Sequence, residues 1–186
     1  MNANNFESTN CLNEENHMGL IHVLFGGGVG KTSTAVGMAL RAAASGLQVY
    51  FIQFMKSDIS GELNILKQIS NIHYYSPGSH PFIKNNNPQK IHFDHANKAL
   101  EYAWEAVGGD AQVLVCDELL NTILFGILTK EKILDLIDSC KNRVELILTG
   151  KVVPQEIVEV SDYVNKFIKI KHPYDTGIGA REGIEY

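Results

Sequence analysis

Residues 25–33 read FGGGVGKTS, and the reading of this stretch decides the fold. Before it, LIHVLF (20–25) is a short apolar run suited to a buried strand. After it, TSTAVGMALRAAAS (32–45) is alanine-rich with one charge, Arg41, the pattern of a helix packed on two sides. A glycine run between a strand and a helix lets backbone N–H groups converge without Cβ interference, and the helix N-terminus adds partial positive charge. Gly26, Gly27, Gly28, Val29 and Gly30 would then cradle phosphates, with Lys31 as counter-charge and the Thr32 hydroxyl offered to Mg²⁺. The usual P-loop spacing, G-x-x-x-x-G-K-[ST], would put a glycine where Phe25 stands; counted from Gly26, one spacer is missing. The alternative is a tight strand–helix turn with Lys31 as a solvated cap.

Working outward, strand and helix patterns alternate. Gly46 ends the first helix in the C′ position, and LQVYFIQF (47–54) is the second strand. GELNILKQI (61–69) reads as a short helix and IHYY (72–75) as a strand. Residues 76–90 read as loop, with three prolines and an Asn triplet. Ala96, Leu100, Ala103, Trp104 and Val107 recur at helical spacing, which places Trp104 in the core. AQVLVCDE (111–118) is a strand ending in two carboxylates. A helix follows around 130–141, then a strand at 144–150, a short helix at 154–161 and a last strand at 163–171. Repeated strand–helix units with apolar strands predict a parallel sheet covered on both faces, which binds ligands at the carboxyl ends of its strands. The glycine turn and the Asp117–Glu118 pair both fall at such ends. The expected fold is therefore α/β, a P-loop NTPase-like three-layer sandwich around a mostly parallel sheet of five to six strands.

Composition narrows the function classes. At 186 residues the chain is long enough for one domain that buries roughly 70% of its unfolded surface. Residues 1–18 are polar and read as a flexible arm, with 19–186 as the single domain. The net charge of −5 carries no nucleic-acid footprint. No run approaches the roughly 20 apolar residues of a membrane span. The three cysteines, Cys11, Cys116 and Cys140, form neither a disulfide framework nor a zinc pattern, which fits a reducing, cytoplasmic compartment.

Asp117 and Glu118 after QVLVC look like a Walker B segment, an apolar strand delivering a carboxylate to a metal beside the P-loop. The bland reading is a pair of acids capping the next helix. His92 and His95 sit one turn apart, a metal-binding spacing, but with no third ligand they read as structural. Cys116 reads as a buried strand residue.

Several segments together resemble the ATP:corrinoid adenosyltransferases. That family opens with a strand, T-G-N-G-K-G-K-T-T and a helix containing A-L-R-A, and its glycine loop is also one residue short. Here the counterparts are FGGGVGKTS and ALRAAASG. VYFIQFMKSDISGE (49–62) resembles the family's Q-F-x-K-G…G-E, VCDEL its L-D-E, LILTGKVVP (146–154) its I-L-T-G-R-x-x-P, and SDYV (161–164) its A-D-x-V. KHPYDTGIGAREGIEY (171–186) is similar to the family's ending almost throughout. The similarity spans about 19–75 and 112–186. In between, HPFI (80–83) looks like the family's aromatic corrinoid-contacting segment, which makes Phe82 a candidate corrinoid-facing side chain; a loop-anchoring Phe is the alternative.

The resemblance implies an enzyme that transfers the 5′-deoxyadenosyl group of ATP to the cobalt of a Co(I) corrinoid and releases triphosphate. It implies ATP as co-substrate, Mg²⁺ (or Mn²⁺) held near Thr32 by Asp117 and Glu118, a flavoprotein reductant and a homodimer. Lys31, Thr32 and Glu118 become the catalytic candidates. Three positions depart from the family pattern: Gly27 for Asn, Val29 for Lys and Lys151 for Arg. Val29 removes a positive charge from a site meant for about four negative ones, and Lys for Arg loses a guanidinium fork. Two alternatives stand beside this reading: a corrinoid- or nucleotide-binding protein without turnover, and a general P-loop ATPase or phosphotransferase.

Overall fold

The computed structural model describes residues 18–56, 60–78, 81, 83 and 86–184. Six short apolar strands account for its centre: β1 (Ile21–Phe25), β2 (Val49–Gln53), β3 (Ile72–Tyr75), β4 (Val113–Asp117), β5 (Glu145–Gly150) and β6 (Tyr163–Lys166). They form one sheet in the order β3-β2-β4-β5-β1-β6. Every neighbouring pair is parallel. Phe25 lies level with Gly150, and Gln53 with Asp117, so the glycine loop and the carboxylates leave the sheet from the same edge. One strand, β5, separates β1 from β4, a spacing of roughly 10 Å between the two chemistries.

The strands are apolar on both faces, and alternate residues go to opposite layers. Leu24, Phe51, Val113, Val115 and Ile147 pack with α1 (Lys31–Ala44) and α2 (Leu63–Leu66). Val23, Ile52, Leu114, Cys116, Leu146 and Leu148 pack on the other side. There they meet α3 (Lys90–Gly108), α4 (Leu119–Leu124), α5 (Lys130–Cys140) and α6 (Gln155–Glu159). The chain is thus a P-loop NTPase-like three-layer α/β sandwich. The small alanines of α1, Ala35, Ala39 and Ala43, are buried against the sheet. Gly46 takes the left-handed conformation (φ 85°) that ends α1, as expected.

Four expectations change in detail. Helix α3 runs from Lys90 to Gly108, longer than the four turns that the apolar spacing from Ala96 to Val107 suggests, and a cap precedes it: the Gln89 N–H donates to His92 Nδ1 at 2.7 Å. That bond, with His92 Nε2 2.9 Å from the Pro81 carbonyl, gives His92 a structural role. Trp104 is not core; it is 38% exposed and lines a surface pocket with Lys132 and Asp135 of α5. The final strand stops at Lys166 instead of 171, with all four of its residues exposed, and Ile168 and Ile170 beyond it face out. Helix α4, directly after the carboxylates, has too short an apolar pattern to stand out in the sequence. Met18, assigned to the arm, packs against the α1 side of the core. Residues 1–17 and Phe82 lie outside the described residues. Cys116 and Cys140 are buried, and burial pushes both thiols up, Cys140 to about 12. Among the described residues no helix is long and apolar enough to cross a membrane.

Candidate active site

The glycine loop is held by close backbone contacts. The Gly26 N–H donates to the Gly150 and Lys151 carbonyls, each at 3.1 Å, and the Gly28 N–H donates to the Phe167 carbonyl at 2.9 Å. After β6 the chain crosses the loop, and Phe167 donates its own N–H to Phe25 at 2.7 Å. A Cβ on Gly26 would stand 2.3 Å from the Phe167 carbonyl oxygen, and one on Gly28 2.9 Å from the Ile168 backbone. Both positions therefore admit only glycine. Gly27 differs: a Cβ there meets nothing within 4 Å. Gly30, at φ 105°, turns the chain into α1.

Two of the loop N–H groups are thus spent on holding its shape. Among the described residues no side chain caps α1, and no acid lies in its first turn. The open N–H groups at its start form an anion-binding end. Lys31 reaches back to the Gly28 carbonyl at 2.7 Å. Burial holds its pKa below the ordinary lysine value, against the pull of Glu118 and Asp117.

Across β5 the carboxylates are gathered by side chains from three neighbouring strands and a helix. Asp117 is fully buried. It accepts from Thr32 Oγ1 at 3.0 and 3.2 Å, from Thr149 Oγ1 at 2.7 Å and from Gln53 Nε2 at 3.4 Å. The Tyr74 hydroxyl donates to Gln53 Oε1 at 2.8 Å, extending the chain of bonds to β3. Lys56 Nζ lies 3.0 Å from Glu62 and 4.0 Å from Asp117. The Thr149 hydroxyl also accepts the Glu118 N–H at 2.8 Å, so one β5 side chain fixes both acids. Glu118 sits in the left-handed region at φ 62°, a conformation a non-glycine residue holds only when its surroundings insist. Burial, then the neighbouring Asp117, pushes the Glu118 carboxyl up to about 7, and burial raises Asp117 as well.

Between these halves opens a cleft of about 700 Å³. Its walls are residues 29–33, Lys56, Glu118 and three pieces of the C-terminal segment, 171–174, 178–180 and 184. Lys31, Thr32 and Glu118 therefore meet in one cavity. The Thr32 hydroxyl and two carboxylates form an oxygen-only donor set, which suits a hard cation such as Mg²⁺. Among the described residues no group of three or more His, Cys, Asp or Glu side chains could hold a metal. Mg²⁺ commonly takes one or two carboxylates and completes its shell with substrate phosphates and water. The residues present fit that habit. Gln53 and Lys56 fall in the segment that resembles Q-F-x-K-G…G-E, and Thr149 in the one that resembles I-L-T-G-R-x-x-P, but the sequence attached no role to them, and nothing in it pointed to Tyr74.

An uncapped helix behind a glycine loop, facing buried acids across one strand, defines a P-loop nucleotide-binding protein. Residues 17–186 match the family model described as ATP:corrinoid adenosyltransferase BtuR/CobO/CobP. The chain belongs to this family of transferases. The corrinoid adenosyltransferase CobA of Salmonella typhimurium is 25% identical over 190 residues, covering 90% of this chain and 86% of its own. The Escherichia coli K12 corrinoid adenosyltransferase is 26% identical, covering 92% of this chain and 88% of its own. That of Pseudomonas aeruginosa is 27% identical over 90% and 84%. Among solved structures, the replication initiator DnaA bound to AMPPCP and single-stranded DNA superposes with a TM-score of 0.41 at 13% identity. This chain covers 40% of the DnaA chain, with 81% of its own length matched. The match over 17–186 sets aside the general ATPase or phosphotransferase alternative.

Proposed function

We propose that the cleft binds ATP by its triphosphate and directs C5′ toward the cobalt of a reduced corrinoid. The Co(I) centre attacks C5′, a cobalt–carbon bond forms, and the C5′–O bond breaks with its electron pair leaving on triphosphate. Cobalt brings its own electron pair, so no protein base is needed. The chain's work is to hold cobalt and C5′ in line and to stabilise charge gathering on the leaving group.

The observation that carries this reading is the convergence of Lys31, Thr32 and Glu118 on one 700 Å³ cleft under an uncapped helix. Gly27, Val29, Gly30 and the start of α1 present N–H groups to phosphate, while Gly26 and Gly28 keep the loop in shape. Lys31 leaves the Gly28 carbonyl to meet a phosphate oxygen. Thr32, Asp117 and Glu118 would hold a Mg²⁺ (or Mn²⁺) ion, which when bound withdraws charge from the triphosphate. Phe82 is our candidate for the corrinoid side. A homodimer, a cytoplasmic location and a flavoprotein reductant that supplies Co(I) complete the proposal.

The test mixes chemically reduced cobalamin with ATP and Mg²⁺ and follows the cobalt–carbon bond by its visible spectrum. Adenosylcobalamin and triphosphate should appear together, and Lys31→Ala should slow the appearance of both by about 100-fold or more. Binding of both substrates without a cobalt–carbon bond would make the chain a non-catalytic family member.

A further inference from the structure

The glycine loop offers a triphosphate only one side-chain cation. Its tip residue, Val29, is apolar and 68% exposed at the cleft. A second ammonium stands nearby on another element. Lys56 follows β2, keeps 28% of its side chain exposed, and lines the 700 Å³ cleft together with Lys31, Thr32 and Glu118. It also lines a second pocket of about 370 Å³ beside the first turn of α1, with Thr32, Ser33 and Glu62. Lys56 thus stands where these two cavities adjoin. Its partners are a buried acid on one side, Asp117 at 4.0 Å, and Glu62 on the other, at 3.0 Å. Gln53 bonds the same two acids, so Glu62 and Asp117 stay tied to each other when Lys56 moves.

Resting on the reading of the cleft as a triphosphate site, we infer that Lys56 is a phosphate-binding residue, the second cation that the loop lacks at position 29. The Lys56 ammonium balances Asp117 at 4.0 Å. Were Asp117 and Glu118 to hold a divalent cation, that charge would replace the balance Lys56 supplies, and the ammonium would be drawn to phosphate oxygens in the cleft. Lysine suits this exchange, being a point charge on a flexible four-carbon stem. Glu62 is the tether that limits how far it swings.

The experiment measures binding of inorganic triphosphate with Mg²⁺ to the full chain by calorimetry, without corrinoid or turnover. Lys56→Gln should weaken binding at least tenfold, and Lys56→Arg, which keeps the charge, should stay within about threefold of the native protein. Glu62→Gln should tighten it. Val29→Lys should improve binding more in the Lys56→Gln background than in the native one, since each lysine would serve the same anion. The unfolding temperature of each variant separates loss of the site from loss of the fold. Triphosphate binding by Lys56→Gln within threefold of native, or equal gains from Val29→Lys in both backgrounds, would overturn the inference and leave the cleft reading intact. No triphosphate binding by the native protein would overturn both.

Discussion

The glycine loop and the carboxylate cluster face each other across the same sheet edge, but they are built differently. The loop is a backbone construction in which Gly26 and Gly28 have no room for a side chain because residues 167–168 lie against them. The cluster is a side-chain construction: Thr32, Gln53 and Thr149 donate to Asp117 from three separate elements. The first depends on absent atoms and the second on present ones, so the two halves should fail in different ways under substitution.

The largest effect is expected where the halves meet the substrate. Lys31→Ala should lower kcat/KM for adenosyl transfer about 100- to 1000-fold, the usual result of losing a donor aimed at developing charge. The unfolding temperature should hardly move, because among the described residues Lys31 bonds the Gly28 carbonyl alone. Next come the loop glycines. Gly26→Ala should cost about 1–3 kcal/mol or more in denaturant unfolding, from the clash with Phe167 and the positive φ of 119°. On the carboxylate side, Thr149→Val leaves the Glu118 N–H without its acceptor and Asp117 without its shortest bond. It should cost about 1–3 kcal/mol of stability, with Mg²⁺ affinity falling roughly 10- to 100-fold. Equal effects of Gly26→Ala and Gly27→Ala would break the account of the loop as a structure with no room for a side chain at Gly26.

A smaller effect concerns pH. An acid whose folded pKa is raised stabilises the fold while protonated and loses that contribution as pH rises. For Glu118 the window runs from the ordinary 4.5 to about 7. Without divalent cations the unfolding temperature should therefore fall across this range, and Glu118→Gln should flatten the fall. Mg²⁺ competes with the proton, so its stabilising effect should grow toward pH 8. Smallest of all, Gly27→Asn should leave stability unchanged within about 0.5 kcal/mol, since open space surrounds that position.

These contrasts also explain what could be read from the sequence. The loop is contiguous, so glycine spacing and the flanking strand and helix gave its outline, and Asp117 and Glu118 announced themselves at the end of an apolar run. Strand β6 was legible only to Lys166. The alternating FIKIK that follows has the period of a strand, but Phe167 turns to cover the loop and Ile168 and Ile170 face outward. Trp104 shows the same limit, since helical spacing assigns a face and not its depth. Thr149 and the Gln53–Lys56 stretch lie far from each other and from Asp117 in the sequence, and the register of parallel strands brings them together. That register is a tertiary fact, with no local signature.

The central claim is that the bond broken in ATP is C5′–O and not a phosphorus–oxygen bond. ATP carrying ¹⁸O in the bridge between C5′ and the α-phosphorus, incubated with enzyme, Mg²⁺ and reduced cobalamin, tests it directly by mass spectrometry. The account predicts that the label leaves entirely in triphosphate while the adenosyl group appears on cobalt. Label retained in ADP or AMP, with no cobalt–carbon bond, would contradict it.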